Sequence, residues 1–317
     1  MGGHIAGRLA DRHAEVSLIA RGAHLAAIQA DGLRVETTQG VIHSHPLASD
    51  DPHVPGVQDI VIVTVKAPSL PQVASGIQPL LGPDTAVAFV MNGIPWWYFY
   101  AHGGPLEGTR LTRIDPEGSV WERVDPARVI GAAAHTACAV TAPGVIRAVN
   151  ARNRITLGRP DGRAHPRLTA LAAALSAAGL EIDVTARIRD AVWEKLLMNL
   201  VGGSLGILTA SSMGAALSNP AIAKAAHDIA REGAAIARAL GCDPGAPEAG
   251  LSRLMRSTHK QSILQDLELG RAMEIDALLT VPLELARMTG TDTPTLDLVV
   301  GLAVQRARAA GLYGDPT

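Results

Sequence analysis

The sequence predicts an α/β protein in which a Rossmann-like, doubly wound parallel sheet is followed by an all-helical C-terminal domain. Two observations predict this fold class. Apolar and β-branched runs of strand length alternate with segments of helix length up to residue 185, and almost only helical patterns follow. The chain has 317 residues, which is enough for two domains that each have a core. We therefore expect domains at 1–185 and 186–317.

Short strands and helices alternate in the first domain. The run 59–65, Asp-Ile-Val-Ile-Val-Thr-Val, is typical of a strand covered on both faces. A helical segment and another apolar run follow it, and this βαβ order predicts parallel strands joined by right-handed crossovers. The predicted strands are 15–21, 33–38, 41–45, 59–65, 85–90, 128–140, 144–149, 153–157 and 180–184. The predicted helices are 2–12, 23–30, 70–81 and 166–178.

Turn residues justify the boundaries of these elements. Gly32 can end the helix before it, and the segment 49–56, rich in Pro and Asp, predicts a loop. The tripeptide 142–144, Ala-Pro-Gly, predicts a tight turn between antiparallel strands. In the second domain the clearest helix is 221–240, because a glycine directly follows it.

Composition excludes several classes of function. The chain is 47% hydrophobic and 18% charged with a net charge of −2, which is not the balance of a nucleic-acid-binding surface. It has no run of about eighteen apolar residues and no secretion signal, so we expect a cytoplasmic protein without a membrane span. The eleven histidines are scattered, and Cys138 and Cys242 stand far apart. We therefore expect no metal site and two buried, reduced thiols.

The first residues resemble the end of a dinucleotide-binding fingerprint. Met1-Gly2-Gly3 opens a helix, and Gly2 stands where the last glycine of the fingerprint would be. The next strand ends on Arg21, about twenty residues later, where an acidic residue would bind the ribose of NAD and an arginine the 2′-phosphate of NADP. Arg21 therefore favours NADP(H), with an ordinary surface arginine as the alternative.

The first strand of that fingerprint and its earlier glycines would lie upstream of Met1. In a doubly wound sheet this strand is central, so we expect its neighbours to lack ladder partners. Two explanations stay open. In the first, Met1 is an internal methionine of a longer protein, and we favour this because the rest of the βαβ pattern is intact. In the second, the chain begins at Met1 and its nucleotide site is incomplete.

A lysine and an asparagine share one face of a predicted helix in the second domain. Lys195 and Asn199 are four residues apart, so their side chains stack one turn apart. Trp193, Leu196 and Leu200 are apolar enough to hold this helix against a core. An ammonium and an amide in this arrangement could bind a carbonyl or a carboxylate group. The alternative is a solvated lysine, as most helical lysines are.

Six segments of the chain occur in an order and spacing typical of one family. They are Met1-Gly2-Gly3, 18–25, Val63-Thr64-Val65-Lys66-Ala67, Asn92-Gly93-Ile94, 195–199, and 262–266 leading to Glu274-Ile275-Asp276. Together they resemble the ketopantoate reductase, or 2-dehydropantoate 2-reductase, family over nearly the whole chain. The resemblance implies an NADP-dependent oxidoreductase of pantothenate biosynthesis that reduces a 2-oxo acid, 2-dehydropantoate by default. It makes 1–185 the NADP-binding domain and 186–317 the substrate domain. The helical domain could also form the contact of a homodimer.

The resemblance also implies a role for each polar residue of these segments. Lys195 would be the general acid that stabilises and then protonates the ketone oxygen. Glu274 would accept a bond from the distal hydroxyl of the substrate and help to orient the lysine. Lys66 and Asn92 follow consecutive strands, at the edge where a parallel sheet binds ligands. The implied substrate-binding residues are Asn199, Ser262 and Asn92, and the implied cofactor-binding residues are Gly2, Arg21, Lys66 and Asn92.

Two features depart from the family pattern. Where the family usually has a second asparagine on the lysine helix, this chain has Gly203, and we consider Ser204 as a partial substitute although it points about 100° away. An insertion, 94–126, begins with five consecutive aromatic residues, Trp96 to Tyr100. It predicts either a lid on the substrate pocket that admits a bulkier 2-oxo acid, or an aromatic cluster that packs on the insertion or on a partner subunit.

Other functions remain as alternatives. A paralogue that reduces a different 2-oxo or β-keto acid would explain Gly203 and the insertion. A nucleotide-sensing protein with decayed catalysis would explain the incomplete fingerprint, but Lys195 and Glu274 argue against decay. The 3-hydroxyacid dehydrogenases share the architecture and the lysine–asparagine pair, and the segment 262–276 favours the ketopantoate reductases over them.

Overall fold

The computed structural model describes residues 1–150 and 152–314. Its strands are β1 (Ser17–Ile19), β2 (Leu33–Thr37), β3 (Gly40–Ser44), β4 (Leu47–Ser49), β5 (Gln58–Val63), β6 (Leu81–Val90), β7 (Val129–His135), β8 (Cys138–Ala142), β9 (Val145–Ala148), β10 (Arg154–Gly158) and β11 (Glu181–Val184). The helices of the first half are α1 (Gly2–Asp11), α2 (Gly22–Asp31), α3 (Leu70–Gly76), α4 (Ser119–Val124) and α5 (Pro166–Ala177). Those of the second half are α6 (Ile188–Thr209), α7 (Met213–Ala216), α8 (Pro220–Ala239), α9 (Pro247–Met255), α10 (Ser262–Glu268), a π-helix (Asp276–Thr280), α11 (Val281–Thr289) and α12 (Pro294–Ala309).

The main sheet has five strands in the order β11-β10-β7-β6-β5. Strands β5, β6 and β7 run parallel, β10 is antiparallel to β7, and β11 is parallel to β10. The β-branched run predicted as a strand covered on both faces is β5, beside the long strand β6, but it lies at the edge of the sheet and most of its residues are only half-buried. Helices pack around this sheet and an all-helical part follows it, so the predicted fold class is confirmed.

Strand β1 pairs with β4 in a separate two-stranded parallel sheet. Among the strands of the described residues, β1 pairs only with β4 and β5 pairs only with β6. One edge of each is therefore without a ladder partner, as the sequence predicts for the neighbours of a central first strand.

One strand prediction and one helix prediction were wrong in part. The segment predicted as one strand over 128–140 breaks after His135, so that β7 stays in the main sheet while β8 joins β2, β3 and β9 in a third sheet. The helix predicted over 70–81 ends at Gly76, because a short 3-10 turn containing Pro79 leads directly into β6. The tight turn before β9 is present, at Pro143-Gly144.

Helix α6 is the centre of the helical part. It contacts α7, α8, α9, α10 and α12, and it also lies against β7 and β10 of the main sheet. Within the described residues it is the one helix long and apolar enough to cross a membrane, and 67% of its most apolar window is buried inside the protein. This burial is that of a core helix, because the helix is covered by its neighbours on most sides.

The aromatic residues of the insertion lie inside the protein. Trp96, Trp97, Tyr98 and Phe99 are at most 1% exposed, and they belong to the same hydrophobic core as α6. The Tyr98 hydroxyl accepts a hydrogen bond of 2.7 Å from Trp193 of α6. The lid hypothesis was therefore wrong for these side chains, because none of them faces solvent or an opening. The alternative, packing on the insertion, holds for Trp96 against Trp121, but the four buried side chains also pack on the core around α6, which neither hypothesis named.

The guanidinium of Arg189 joins the insertion to both halves of the chain. It donates to the backbone carbonyls of Tyr98 at 2.7 Å and Pro160 at 2.8 Å, and also to that of Tyr100. Because Arg189 lies on α6, these bonds fix the insertion and the end of β10 relative to this helix. The free thiols differ from expectation in part, since Cys242 is buried but Cys138 is only half-buried.

A buried histidine on α1 makes folding sensitive to acid. His4 is fully buried, and its Nε2 accepts a hydrogen bond of 3.1 Å from Arg8. Burial, assisted by the charge of Arg8, lowers the pKa of His4 from 6.5 to about 4. Between these values the unfolded chain binds a proton that the folded protein does not, so stability is lost as the pH falls.

We expect the free energy of unfolding to fall by about 2 kcal/mol between pH 6.5 and pH 4 because of His4. Urea denaturation across this range measures it. In His4→Gln the pH dependence should be shallower, whereas the exposed His43→Gln should keep the slope of the wild type. Equal slopes in all three proteins would show that His4 does not titrate as described.

Candidate active site

Two strand ends of the main sheet and one helix bring the predicted residues together. Lys66 follows β5 and Asn92 follows β6, and these strands are parallel neighbours, so both residues lie at the carboxyl edge of the sheet. Lys195 lies near the middle of α6. Glu274 lies just before the π-helix, which begins at Asp276.

The side chain of Asn92 links Lys195 to Glu274. The Lys195 ammonium donates a hydrogen bond of 2.7 Å to Asn92 Oδ1, and Asn92 Nδ2 donates one of 3.2 Å to Glu274 Oε2. The backbone N–H of Ala67 lies 3.5 Å from Glu274 Oε1. The lysine is therefore oriented by the carboxylate through an amide, and both carboxylate oxygens are already engaged.

Burial dominates the electrostatics of this group. Glu274 is 6% exposed, and burial raises the pKa of its carboxyl group despite the hydrogen bond from Asn92. Burial also lowers the pKa of Lys195 from 10.5 to about 8, against the opposing attraction of Glu274. An ammonium with a pKa close to neutral releases its proton more readily than a solvated lysine does.

A close backbone contact sets the position of Asn92 relative to Glu274. The N–H of Ile94 donates a hydrogen bond of 2.8 Å to the carbonyl of Ala277 in the π-helix. Gly93 has φ +80°, and a Cβ at this position would lie 2.3 Å from the same carbonyl oxygen. Only glycine allows this approach, so the common turn dipeptide Asn92-Gly93 has a specific function in this site.

The insertion also contacts the π-helix, which the sequence did not reveal. Arg113 lies 3.7 Å from the carboxylate of Asp276 and 3.5 Å from that of Glu284. Asp276 also accepts hydrogen bonds from Tyr313 at 2.7 Å and Thr280 at 2.6 Å. These contacts fix the segment that carries Glu274, and no motif in the sequence signals them.

Lys66 is held by the helical part of the chain. Its ammonium lies 2.7 Å from the carboxylate of Asp266 and donates to the carbonyl of Ala272 at 3.1 Å. Its side chain is nevertheless 39% exposed. The structure therefore places Lys66 at the predicted edge, but in an ion pair that the sequence did not indicate.

The predicted substrate-binding residues Asn199 and Ser262 have unpaired side chains. Asn199 lies one turn after Lys195 on the uninterrupted helix α6, and Ser262 is the first residue of α10. Asn199 is half-buried and Ser262 is exposed, and neither side chain has a hydrogen-bond partner among residues 1–150 and 152–314. Both polar groups can therefore accept a ligand.

The environments of Gly203 and Ser204 on α6 explain the missing second asparagine. A Cβ at Gly203 would meet Ile263 at 3.4 Å and Leu279 at 4.0 Å, so this position faces apolar side chains. Ser204 is fully buried, and its hydroxyl donates to the carbonyl of Leu200 within the helix. The suggestion that Ser204 substitutes for the missing amide was therefore wrong.

Of the two predicted nucleotide-end residues, Gly2 lies beside a strand end of the main sheet. Gly2 is the first residue of α1, and a Cβ there would lie 2.7 Å from Thr64 Oγ1, just past β5. Arg21 precedes α2, is exposed, and makes no ion pair within the described part of the chain. Gly2 is thus required for a close approach of α1 to the strand end, and Arg21 is free to meet an anion.

Two surface cavities of the protein lie away from these residues. One, of about 530 Å³, lies between the end of α1 and the segment 43–47. The other, of about 330 Å³, lies between α10 and the end of α12. Because both lack the Lys195 group, the chemistry of the side chains rather than cavity size identifies the candidate site.

Comparison with known proteins places the whole chain among one group of relatives. The family model described as "Ketopantoate reductase PanE/ApbA" matches residues 1–162, and that of its C-terminal part matches residues 187–307. The 2-dehydropantoate 2-reductase of Mesorhizobium japonicum is 40% identical over 323 residues, which cover 99% of this chain and 97% of that protein. That of Halobacterium salinarum is 27% identical and covers 95% and 94%.

Solved structures agree with these sequence relatives. A crystal structure assigned to the ketopantoate reductases, from Ralstonia solanacearum MolK2, has a TM-score of 0.91 and 37% identity, and covers 99% of this chain and 96% of that one. A D-mandelate dehydrogenase, solved with NADH and anilino(oxo)acetate, has a TM-score of 0.82 at 20% identity and covers 98% and 96%. The second likeness shows the fold alone.

Proposed function

Because the chain belongs to the ketopantoate reductase family, we propose that it reduces a 2-oxo acid, 2-dehydropantoate to pantoate, with NADPH as the cofactor. The observation that carries this proposal is the hydrogen-bonded Lys195–Asn92–Glu274 group at the carboxyl edge of the sheet. We assign Lys195 as the general acid and Glu274 as the carboxylate that orients it through Asn92.

The residues at the nucleotide end fit NADPH, which supplies the hydride to the ketone carbon. The close approach at Gly2 leaves the N-terminus of α1 beside the strand end, where free backbone N–H groups bind phosphate. Arg21 is exposed and unpaired in the described chain, as a partner for the 2′-phosphate must be. Lys66 and Asn92 lie at the same edge and complete the proposed cofactor-binding set.

Lys195 acts on the oxygen of the ketone. As the carbonyl is reduced, negative charge develops on this oxygen, and a nearby ammonium stabilises it and then donates a proton. The hydrogen bond to Asn92 Oδ1 holds the ammonium in one direction, which leaves its other N–H groups for the substrate. Asn199 and Ser262, whose polar groups are unpaired, are the proposed contacts for the rest of the substrate.

We propose the domain division 1–185 for NADP binding and 186–317 for substrate binding. The bonds from Asn92 to Glu274 and from Lys66 to Ala272 support it, because the site is assembled from both parts of the chain. A cytoplasmic location and a homodimer through the helical part stay predictions.

The direct test is oxidation of NADPH by the protein with a panel of 2-oxo and β-keto acids. Reduction of 2-dehydropantoate is the expected result. Activity only on another acid of the panel would favour the paralogue, for which the apolar surroundings of Gly203 are the supporting observation. Binding of NADPH without turnover of any acid would favour the nucleotide-sensing alternative and contradict the proposal.

Cofactor choice is tested at Arg21. We expect Arg21→Ala to raise the KM for NADPH by about 10- to 100-fold, because a charge-assisted contact to phosphate contributes about 1.5–3 kcal/mol. The KM for NADH should change little. The exposed Arg12→Ala serves as the control. If Arg21→Ala weakens NADH and NADPH equally, Arg21 does not recognise the 2′-phosphate.

A further inference from the structure

Glycines on α6 make room for the side chain of Gln261. A Cβ at Gly202 would lie 2.9 Å from Gln261 Cδ and 3.2 Å from its Nε2. A Cβ at Gly206, one turn later, would meet only ordinary contacts at 3.8 Å or more. The Gln261 amide therefore occupies the space that any side chain at Gly202 would fill.

This amide lies on the face of α6 that carries Lys195. Lys195, Asn199, Gly202 and Gly206 are separated by four, three and four residues, which is the spacing of one helical stripe. Gln261 therefore extends the polar line that begins with the Lys195 ammonium and the Asn199 amide. It does so from a different segment of the chain, next to Ser262.

The Gln261 amide is available for a ligand. Gln261 precedes α10 but forms no side-chain cap on it, and within the described residues its amide has no hydrogen-bond partner. The residue is only half-buried, so a ligand can reach it. An amide left unpaired against a packed helix gains free energy when a polar ligand group satisfies it.

Position along α6 indicates which end of the substrate this amide contacts. Lys195 and Gly202 are about 10 Å apart along the helix axis, at 1.5 Å per residue. The carboxylate of a 2-oxo acid is bonded directly to the ketone carbon, so it stays near Lys195. The resemblance assigns the distal hydroxyl to Glu274, whose two oxygens accept from Asn92 and Ala67 and each keep a further lone pair, so the Gln261 amide would be a second contact at this end.

We propose that Gln261 is a substrate-binding residue that hydrogen-bonds the polar group at the end of the 2-oxo acid farthest from the ketone. This inference rests on the proposed function. It makes Gln261, seated on Gly202, a determinant of specificity for 2-oxo acids with a distal hydroxyl.

The test pairs one side-chain change with one substrate change. Trimethylpyruvate is 2-dehydropantoate without its distal hydroxyl. Gln261→Met removes the amide and keeps the volume, so kcat/KM for 2-dehydropantoate should fall about tenfold or more, as for one lost hydrogen bond of about 1.4 kcal/mol. The value for trimethylpyruvate should change less than about twofold. Glu274→Gln should instead lower the values for both acids, because it disturbs the orientation of Lys195 through Asn92.

Two glycine variants separate a contact from a general effect on folding. Gly202→Ala displaces the Gln261 side chain and should reproduce the selectivity of Gln261→Met. Gly206→Ala should leave kcat/KM for both acids unchanged. If Gln261→Met lowers kcat/KM for both acids equally, or for neither acid, the inference is overturned.

The outcome is separable from that of the proposed function. If the wild type oxidises no NADPH with either acid, the reductase assignment fails, and calorimetric binding of the two acids to the NADP⁺ complex then decides the role of Gln261. Tighter binding of 2-dehydropantoate that disappears in Gln261→Met would support the contact. Equal binding of both acids, or none, would reject it.

Discussion

Replacing Lys195 with methionine is expected to lower kcat by about 10²- to 10⁴-fold, which is the range for loss of a positioned general acid. Methionine keeps most of the volume and removes the ammonium that donates to Asn92 at 2.7 Å. The KM for NADPH should change little, because Lys195 is assigned to the substrate. Stopped-flow measurement of NADPH oxidation under single-turnover conditions reads the chemical step directly.

The pH dependence of kcat gives an independent test of this role. A general acid must be protonated, and the pKa of Lys195 is lowered to about 8 by burial. The wild-type kcat should therefore fall as the pH rises through about 8, and this limb should be absent from the residual activity of Lys195→Met. The exposed Lys224→Met is the matched control and should keep both kcat and the profile. An active Lys195→Met with an unchanged profile would contradict the mechanism.

Replacing Arg189 with methionine is expected to destabilise the protein by about 3–5 kcal/mol, because buried carbonyls would lose a charged donor. The guanidinium satisfies the carbonyls of Tyr98, Tyr100 and Pro160 at the junction of the insertion with α6. Urea denaturation followed by tryptophan fluorescence measures the change, since Trp97 and Trp193 are buried there.

An exposed arginine provides the comparison for Arg189. Within residues 1–150 and 152–314, Arg231 on α8 pairs with Asp228 alone, at the surface, so Arg231→Met should cost less than about 1 kcal/mol. A loss at Arg189 no larger than that at Arg231 would mean that water replaces the lost donor and that the insertion is not held by this residue.

The sequence predicted those features that depend on local pattern. The β-branched run of β5 and the periodicity of α8 each predict an element that the structure contains. Spacing alone places Lys195 and Asn199 on one helical face, and the ends of parallel strands place Lys66 and Asn92 at one edge. Each of these inferences needs only the period of an element or the direction of a strand.

The partners of these residues could not be predicted, because they are set by contacts between distant segments. Asn92 and Glu274 are bonded across 182 positions of the chain, and Lys66 bonds to Ala272 across 206. The aromatic run could be interpreted as a lid or as a cluster on the insertion, and only the packing of Trp97 and Tyr98 against α6 shows that it lies in the core. Gln261 belongs to no motif, and its place depends on the absence of a side chain at Gly202.

The amide between lysine and carboxylate has a consequence for repeated turnover. Direct contact with Glu274 would bind the proton of Lys195 tightly, since an adjacent opposite charge favours the charged form of a base. Asn92 is interposed instead, and burial lowers the pKa of Lys195 to about 8, so at neutral pH most molecules carry the proton on this lysine. In the proposed mechanism, a lysine that has donated its proton therefore regains one from the solvent before the next turnover.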